Sequence, residues 1–391
     1  MSAVTRSVAA VTVSRSDWGH LRPVLEAVRS TPGLSLQLYV AGMHLEPDFG
    51  LTVRDIERDG WPIAARIPMI ETDDSPLGVA ASTGKGIEGF ARAYTETRPD
   101  LVVVLGDRFE MLAASVAALP FALPVAHIHG GEETEGAMDN QIRHAITKLA
   151  HIHFASADVH ARRITQMGEE AWRIHTVGAP GLDRLGAATY RSREALAGSL
   201  RLDAEAKWLL VTFHPVTLEY RDTAAHVTEL LAALEKADAQ IVMTYPNADT
   251  AGRLIIERIE EFASRHPRVR LARSLGDETY LSLLKHADAM VGNSSSGLIE
   301  APSFGLPVVN IGNRQRGRLR GANVIDVGYG REDILRGLER ALGPAFSATL
   351  KGMANPYGDG RAAPRIAEVL RAVPLDVRLI QKRFAEESVS A

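Results

Sequence analysis

Short aliphatic and β-branched runs alternate with longer amphipathic stretches along nearly the whole chain. No other feature of the sequence restricts the fold so strongly. The spacing predicts strands at residues 8–13, 36–40, 101–105, 124–128, 151–155, 174–177, 208–213, 241–244, 269–271, 289–291 and 307–311, with helical patterns between them at 21–30, 79–97, 141–149 and 227–237. Apolar strands separated by helices imply parallel sheets covered on both faces, an α/β fold. In such sheets ligands gather beyond the C-terminal strand ends. A weak internal echo supports two similar halves. VVVLGDR at 102–108 and MVGNSS at 290–295 are each a buried strand, a glycine, a polar cluster and a helix start. The 391 residues suffice for two domains. The expected division is 1–182, 183–374, and a C-terminal helix over 375–391 packing back on the first domain.

Composition removes several classes of function. The absence of cysteine excludes disulfides, thiolate metal sites, iron–sulfur clusters and cysteine nucleophiles, and makes a cytosolic location the natural expectation. A chain that is 46% hydrophobic and 24% charged is not disordered, and a net charge of −4 argues against nucleic-acid binding by bulk positive charge. The one membrane-like stretch, 111–128, is interrupted by Pro120 and Pro124. It reads as a buried helix followed by a buried strand, with no membrane partner. The apolar run at 8–13 is too short for a signal-peptide core and reads as the first strand.

The polar clusters at predicted strand ends carry the candidate chemistry. GNSSSG at 292–297 lies between a strand and a helix start. Ser294, Ser295 and Ser296 there form either a phosphate cradle or an ordinary serine cap, and Glu300 follows as a ribose partner or a complement to the helix dipole. Arg314 opens an arginine-rich run, 314–320, that is either a local phosphate clamp or a solvated loop. Arg15 follows the first strand, beside an Asp17 that can cap a helix. Asp107 ends another strand, where an acid serves as base, metal ligand or cap. His127 and His129 fall on one side of a predicted strand, and His151 and His153 repeat the spacing. This leaves a metal-dependent hydrolase as a rival reading. Glu132 and Asp139 follow, and Asp139, Arg143 and His144 share a helical face. His214 ends a strand of the second half, as cleft acid or structural donor. Asn247 and Asp249 lie in what is either a ligand loop or a turn.

Taken in order, GDRFE at 106–110, HIHGGE at 127–132, EGAMDNQIRHAITKLAHIHF at 135–154, HPVT at 214–217, GNSSSGLIE at 292–300 and NIGNRQRGR at 310–318 resemble the hydrolysing UDP-N-acetylglucosamine 2-epimerases. These include sialic-acid and legionaminic-acid pathway enzymes of bacteria and the epimerase half of the animal bifunctional epimerase/kinase. The resemblance implies a GT-B fold, two Rossmann-like domains facing a central cleft in which a UDP-sugar binds, with no metal or nicotinamide cofactor and a homodimeric or homotetrameric assembly. It implies nucleotide contacts from Arg15, Ser294, Ser295, Glu300 and Arg314, with His214 near the diphosphate. Asp107, Glu132 and Asp139 become the catalytic acids, with Arg143 beside them. His44, His129, Asn247, Asp249, Asn293 and Ser296 complete the candidate substrate-contacting set. Several relatives carry a glutamate where this chain has His129.

Overall fold

The computed structural model describes residues 5–73, 75–133, 138–246, 252–273 and 275–385. The chain divides into two units, one comprising residues 1–186 and 357–391, the other 187–356. In the first unit the strands are β1 (Arg6–Thr12), β2 (Leu34–Ala41), β3 (Ile63–Ile67), β4 (Leu101–Leu105), β5 (Val125–Ile128), β6 (Ile152–Ala155) and β7 (Ile174–Thr176). They form one parallel sheet in the order β3-β2-β1-β4-β5-β6-β7. In the second unit β8 (Trp208–Thr212), β9 (Gln240–Thr244), β10 (Val269–Ala272), β11 (Ala289–Gly292), β12 (Val308–Ile311) and β13 (Val324–Val327) form a second parallel sheet in the order β10-β9-β8-β11-β12-β13.

The central strands β4, β5 and β8 are buried at every position, as the apolar runs of β4 and of residues 208–211 in β8 require; β5 buries His127 as well. One face of the first sheet packs Val8, Ala10, Leu38 and Val103 against Leu21 and Leu25 of the helix Arg15–Ser30. The other packs Ala9, Val11, Val102 and Val104 against Phe90, Tyr94 and Met111. Strand order reverses between β1 and β4 in the first sheet and between β8 and β11 in the second. Polar loops therefore collect beyond β1 and β4, and beyond β8 and β11.

Three expectations change. The return to the first unit starts at Tyr357, not at residue 375, because Ile366, Ala367 and Leu370 of the helix Ala362–Ala372 belong to the core around Leu21 and Leu25. The expected C-terminal helix is a single turn, Val377–Ile380, capped by the Asp376 carboxylate; beyond it, the described part of the tail, 381–385, is not helical. The edge strands β3 and β13 were not expected from the sequence. Each is only partly buried and carries a charged residue, Arg66 or Asp326, so neither shows a continuous apolar run. The stretch 111–128 divides between the helix Phe109–Ala118 and β5. Among the described residues no helix is long and apolar enough to cross a membrane.

Candidate functional site

In the first unit, the acids converge where β4 and β5 end. Gly106 turns the chain after β4 with φ +79°, and Asp107 and Arg108 lead into the helix Phe109–Ala118. Arg143 projects from the helix Met138–Leu149 and is almost wholly buried. Its Nη2 donates to the Asp107 carboxylate and its Nη1 donates to the His129 carbonyl at 2.8 Å. The same Nη1 lies 4.0 Å from Glu132 Oε2. One guanidinium thus ties the β4 loop to the β5 loop, a task suited to its rigid fork of donors.

The remaining acids differ sharply in electrostatics. Glu132 Oε1 accepts from His129 Nδ1 at 2.6 Å and from the Ser156 hydroxyl at 2.5 Å. The Ser156 oxygen is itself 2.8 Å from His160 Nδ1. Burial opposes the charge on Glu132, yet His129, Arg143 and His160 together hold its carboxyl well below the usual range. Asp139, on the first turn of the Arg143 helix, is raised by burial and next by the Asp107 charge, with Arg108 and Arg143 opposing. Asp17 is buried beyond β1 and pushed up to about 6, chiefly by desolvation. It was read from the sequence only as a possible cap. The cap of that helix is Ser14, whose hydroxyl donates to Asp17 at 2.8 Å, and Arg15 is the first, exposed, helical residue.

The histidines sort differently from expectation. β5 ends at Ile128 and His129 takes φ +65°, so strand alternation does not carry through to it and the His127/His129 pair does not form. His127 is fully buried, with Nε2 2.8 Å from the Gly106 carbonyl and Nδ1 3.2 Å from the Thr147 hydroxyl. Desolvation lowers its pKa to about 3. His44, expected to touch substrate, is also buried, and both of its ring nitrogens are hydrogen-bonded to threonine hydroxyls, Thr12 at 2.9 Å and Thr52 at 2.7 Å. Burial, then the Arg108 charge, pushes it down to about 4. Among the described residues no group of three or more histidines and carboxylates gathers in a way that can hold a metal ion. Ser156 and His160 were missed. Their positions just beyond β6, at a C-terminal strand end, were the available signal.

In the second unit the candidate anion site is built on one buried amide. Asn293 Oδ1 accepts the His214 backbone N–H at 2.7 Å, and its Nδ2 donates to the His214 carbonyl at 2.8 Å. The Asn293 side chain, expected to meet the nucleotide, is therefore occupied in joining the ends of β8 and β11. Its backbone carbonyl accepts from Arg314 Nη1 at 3.1 Å and from Gln315 Nε2 at 2.8 Å. That fixes the arginine loop beside the serine turn. His214 is lowered to about 3 by burial and next by the Arg314 charge, so it is a neutral ring at physiological pH. Ser294 and Ser295 are half-buried and Ser296 is buried. The helix that starts there is only Ser296–Ile299, followed by a 3-10 turn at Ala301–Phe304, which puts Glu300 after the helix and not where it would complement a helix N-terminus. Ser294 Oγ accepts from the Ser296 N–H at 3.4 Å. Asn247 and Asp249 lie outside the described residues.

The sequence model of a family described as UDP-N-acetylglucosamine 2-epimerase matches residues 26–371. A UDP-N,N'-diacetylbacillosamine 2-epimerase (hydrolyzing) of Legionella pneumophila is 38% identical over 96% of this chain and 98% of its own length. A GDP/UDP-N,N'-diacetylbacillosamine 2-epimerase (hydrolyzing) of Campylobacter jejuni is 36% identical over 82% of this chain and 84% of its own. In structure, a UDP-GlcNAc 2-epimerase of Neisseria meningitidis, solved bound to UDP-GlcNAc, superposes with a TM-score of 0.79 at 18% identity, covering 93% of this chain and 99% of that one. The two parallel-sheet units are those of the GT-B class. With the family model matching most of its length and two relatives above a third identical, this chain belongs to the UDP-N-acetylglucosamine 2-epimerase family.

Proposed function

We propose that the protein is a hydrolysing 2-epimerase of a UDP-linked N-acetylhexosamine, releasing UDP and the free manno-configured sugar. The observation that carries this reading is the gathering of Asp107, Glu132 and Asp139 around the buried Arg143, with Asp139 shifted toward neutrality. The C2 proton of an N-acetylhexosamine becomes removable only as the C1–O bond to UDP stretches and positive charge grows at C1. Ser294, Ser295 and Arg314 take the growing negative charge of the diphosphate, and His214 supplies a neutral hydrogen-bonding ring. Asp139 is the better proton acceptor, because a carboxylate raised by burial and a neighbouring acid matches the operating pH more closely. Asp107, one of the three acids the resemblance makes catalytic, is paired to Arg143 and adds, after burial, to the rise at Asp139. Removal of the C2 proton with departure of UDP leaves a glycal. Water then adds at C1 and a proton returns to C2 on the opposite face.

The diacetylbacillosamine names of the two relatives favour a 2,4-diacetamido-2,4,6-trideoxy sugar over N-acetylglucosamine, a product class that feeds nonulosonic-acid synthesis. The test is to offer both UDP-sugars in deuterium oxide with excess chelator, identifying the released sugar and its C2 label by NMR. The reading expects free manno sugar, UDP and one deuterium at C2. A product unlabelled at C2, or release of no free sugar, overturns it.

A further inference from the structure

The C-terminal tail reaches the same helix that carries Asp139 and Arg143. The helix Met138–Leu149 ends with backbone carbonyls that have no partner within the helix. Lys382 Nζ donates to two carbonyls at that end, Ala150 at 2.6 Å and Lys148 at 2.7 Å. A cation placed there also complements the helix dipole. The same ammonium lies 2.8 Å from Glu169 Oε2, a carboxylate whose side chain is fully buried. Glu169 also binds Lys148 Nζ at 2.5 Å and His153 Nε2 at 3.1 Å. Arg173 fixes the tail just before Lys382, donating to the carbonyls of Leu379 and Arg378 at 2.8 Å each. After it, the Ala385 N–H donates to the Gly168 carbonyl at 2.9 Å. Lys382 is therefore held on both sides by backbone contacts that fix its reach.

We propose that Lys382 is a positioning residue: it clamps the C-terminal end of the helix 138–149 and so sets where Asp139 and Arg143 stand. The inference rests on the functional reading above, which makes those two side chains part of the reacting site. A tail that sets the helix position affects the chemical step first. A displacement of that kind, far from the chemistry, lowers turnover by about 100-fold without touching nucleotide contacts.

The test compares wild-type protein with Lys382→Met and Lys382→Arg. Lys382→Met keeps Glu169 paired to Lys148 and His153, so no buried charge is left alone. The expected result is a kcat reduced by about 100-fold with KM for the UDP-sugar and Kd for UDP within about twofold, recovery in Lys382→Arg, and faster amide exchange confined to 138–149. Wild-type kcat in Lys382→Met overturns the proposal. So does a parallel loss of kcat and UDP affinity, which marks a general stability role. If wild-type protein turns over no UDP-hexosamine, the functional reading fails by itself. Amide exchange then decides the clamp alone, and unchanged exchange over 138–149 in Lys382→Met overturns it.

Discussion

Arg143 donates to Asp107 through one nitrogen and to the His129 carbonyl through another, joining two loops that the sequence separates by more than twenty residues. A lysine offers one compact charge and cannot reproduce both bonds with the planar fork. Arg143→Lys is therefore expected to lower kcat by about 100-fold while the protein remains folded. Steady-state UDP release, with a thermal melt as control, measures this.

Asp139 titrates above the ordinary aspartate range because burial, and next the Asp107 carboxylate, oppose its charge. If Asp139 is the base, activity falls as pH drops through its raised pKa, since only the ionised form accepts a proton. In Asp107→Asn the neighbouring charge disappears and the pKa of Asp139 moves back down. Turnover is expected to be lost in that variant, so the shift is read by carbon NMR of the carboxyl groups. An unmoved Asp139 signal contradicts the coupling.

Buried neutral histidines make the fold acid-sensitive. His44, His151 and His160 are lowered to about 4, and His127 and His214 to about 3, in each case with desolvation as the largest cause. Their folded pKa values lie below the unfolded value, so the unfolded chain binds more protons. Their stabilising contribution is complete above the unfolded histidine pKa and is lost as pH falls toward the folded values. Asp17, raised to about 6, and Asp139 and Asp183, raised chiefly by burial, act in the opposite sense and return some stability as pH falls, but they are three groups against five. Urea titrations should show stability falling between about pH 6.5 and pH 4.5, with net proton uptake of more than one on unfolding. A flat profile in that window refutes the assignment.

Gly292 has φ +131°, and a methyl group on it would lie 1.9 Å from the Thr212 carbonyl oxygen on the neighbouring strand. Gly292→Ala is expected to destabilise the second unit by at least about 2 kcal/mol. Because Asn293 is the next residue, UDP affinity should fall along with it. Chemical denaturation and UDP titration of the same variant test both effects.

Arg314 is anchored by its bond to the Asn293 carbonyl, which holds it beside the serine turn. Arg314→Met removes a charge-assisted contact of about 1.5–3 kcal/mol, or about 10- to 150-fold in UDP affinity. Arg316→Met, at an exposed position, should change it far less. Equal losses in the two variants argue against this placement of the diphosphate.

What the sequence made legible followed burial. Strands such as β4 and β8, enclosed on both faces, write continuous apolar runs; β3 and β13, at sheet edges and half-exposed, do not. The candidate acids were legible because a parallel sheet places its strand ends predictably, and Asp107 and Glu132 follow β4 and β5 directly. The histidines were not. Spacing says which side of a strand a ring occupies, but the positive φ of His129 and the threonine partners of His44 arise from tertiary contacts. Asn293 was legible as part of a turn at a strand end, yet its amide is engaged by the backbone of another strand. The grip of the tail on the helix 138–149 joins residues more than two hundred positions apart, and no local pattern announces it.

The division of the chain bears on its synthesis. Residues 187–356 form one uninterrupted segment, whereas the other unit needs Ile366, Ala367 and Leu370 from the far end to cover Leu21 and Leu25. On the ribosome, the half that emerges first therefore finishes last: its nascent core waits, part-open, until residues 366–370 have been made. A stop codon ahead of residue 366 would thus cripple the portion of the polypeptide made earliest.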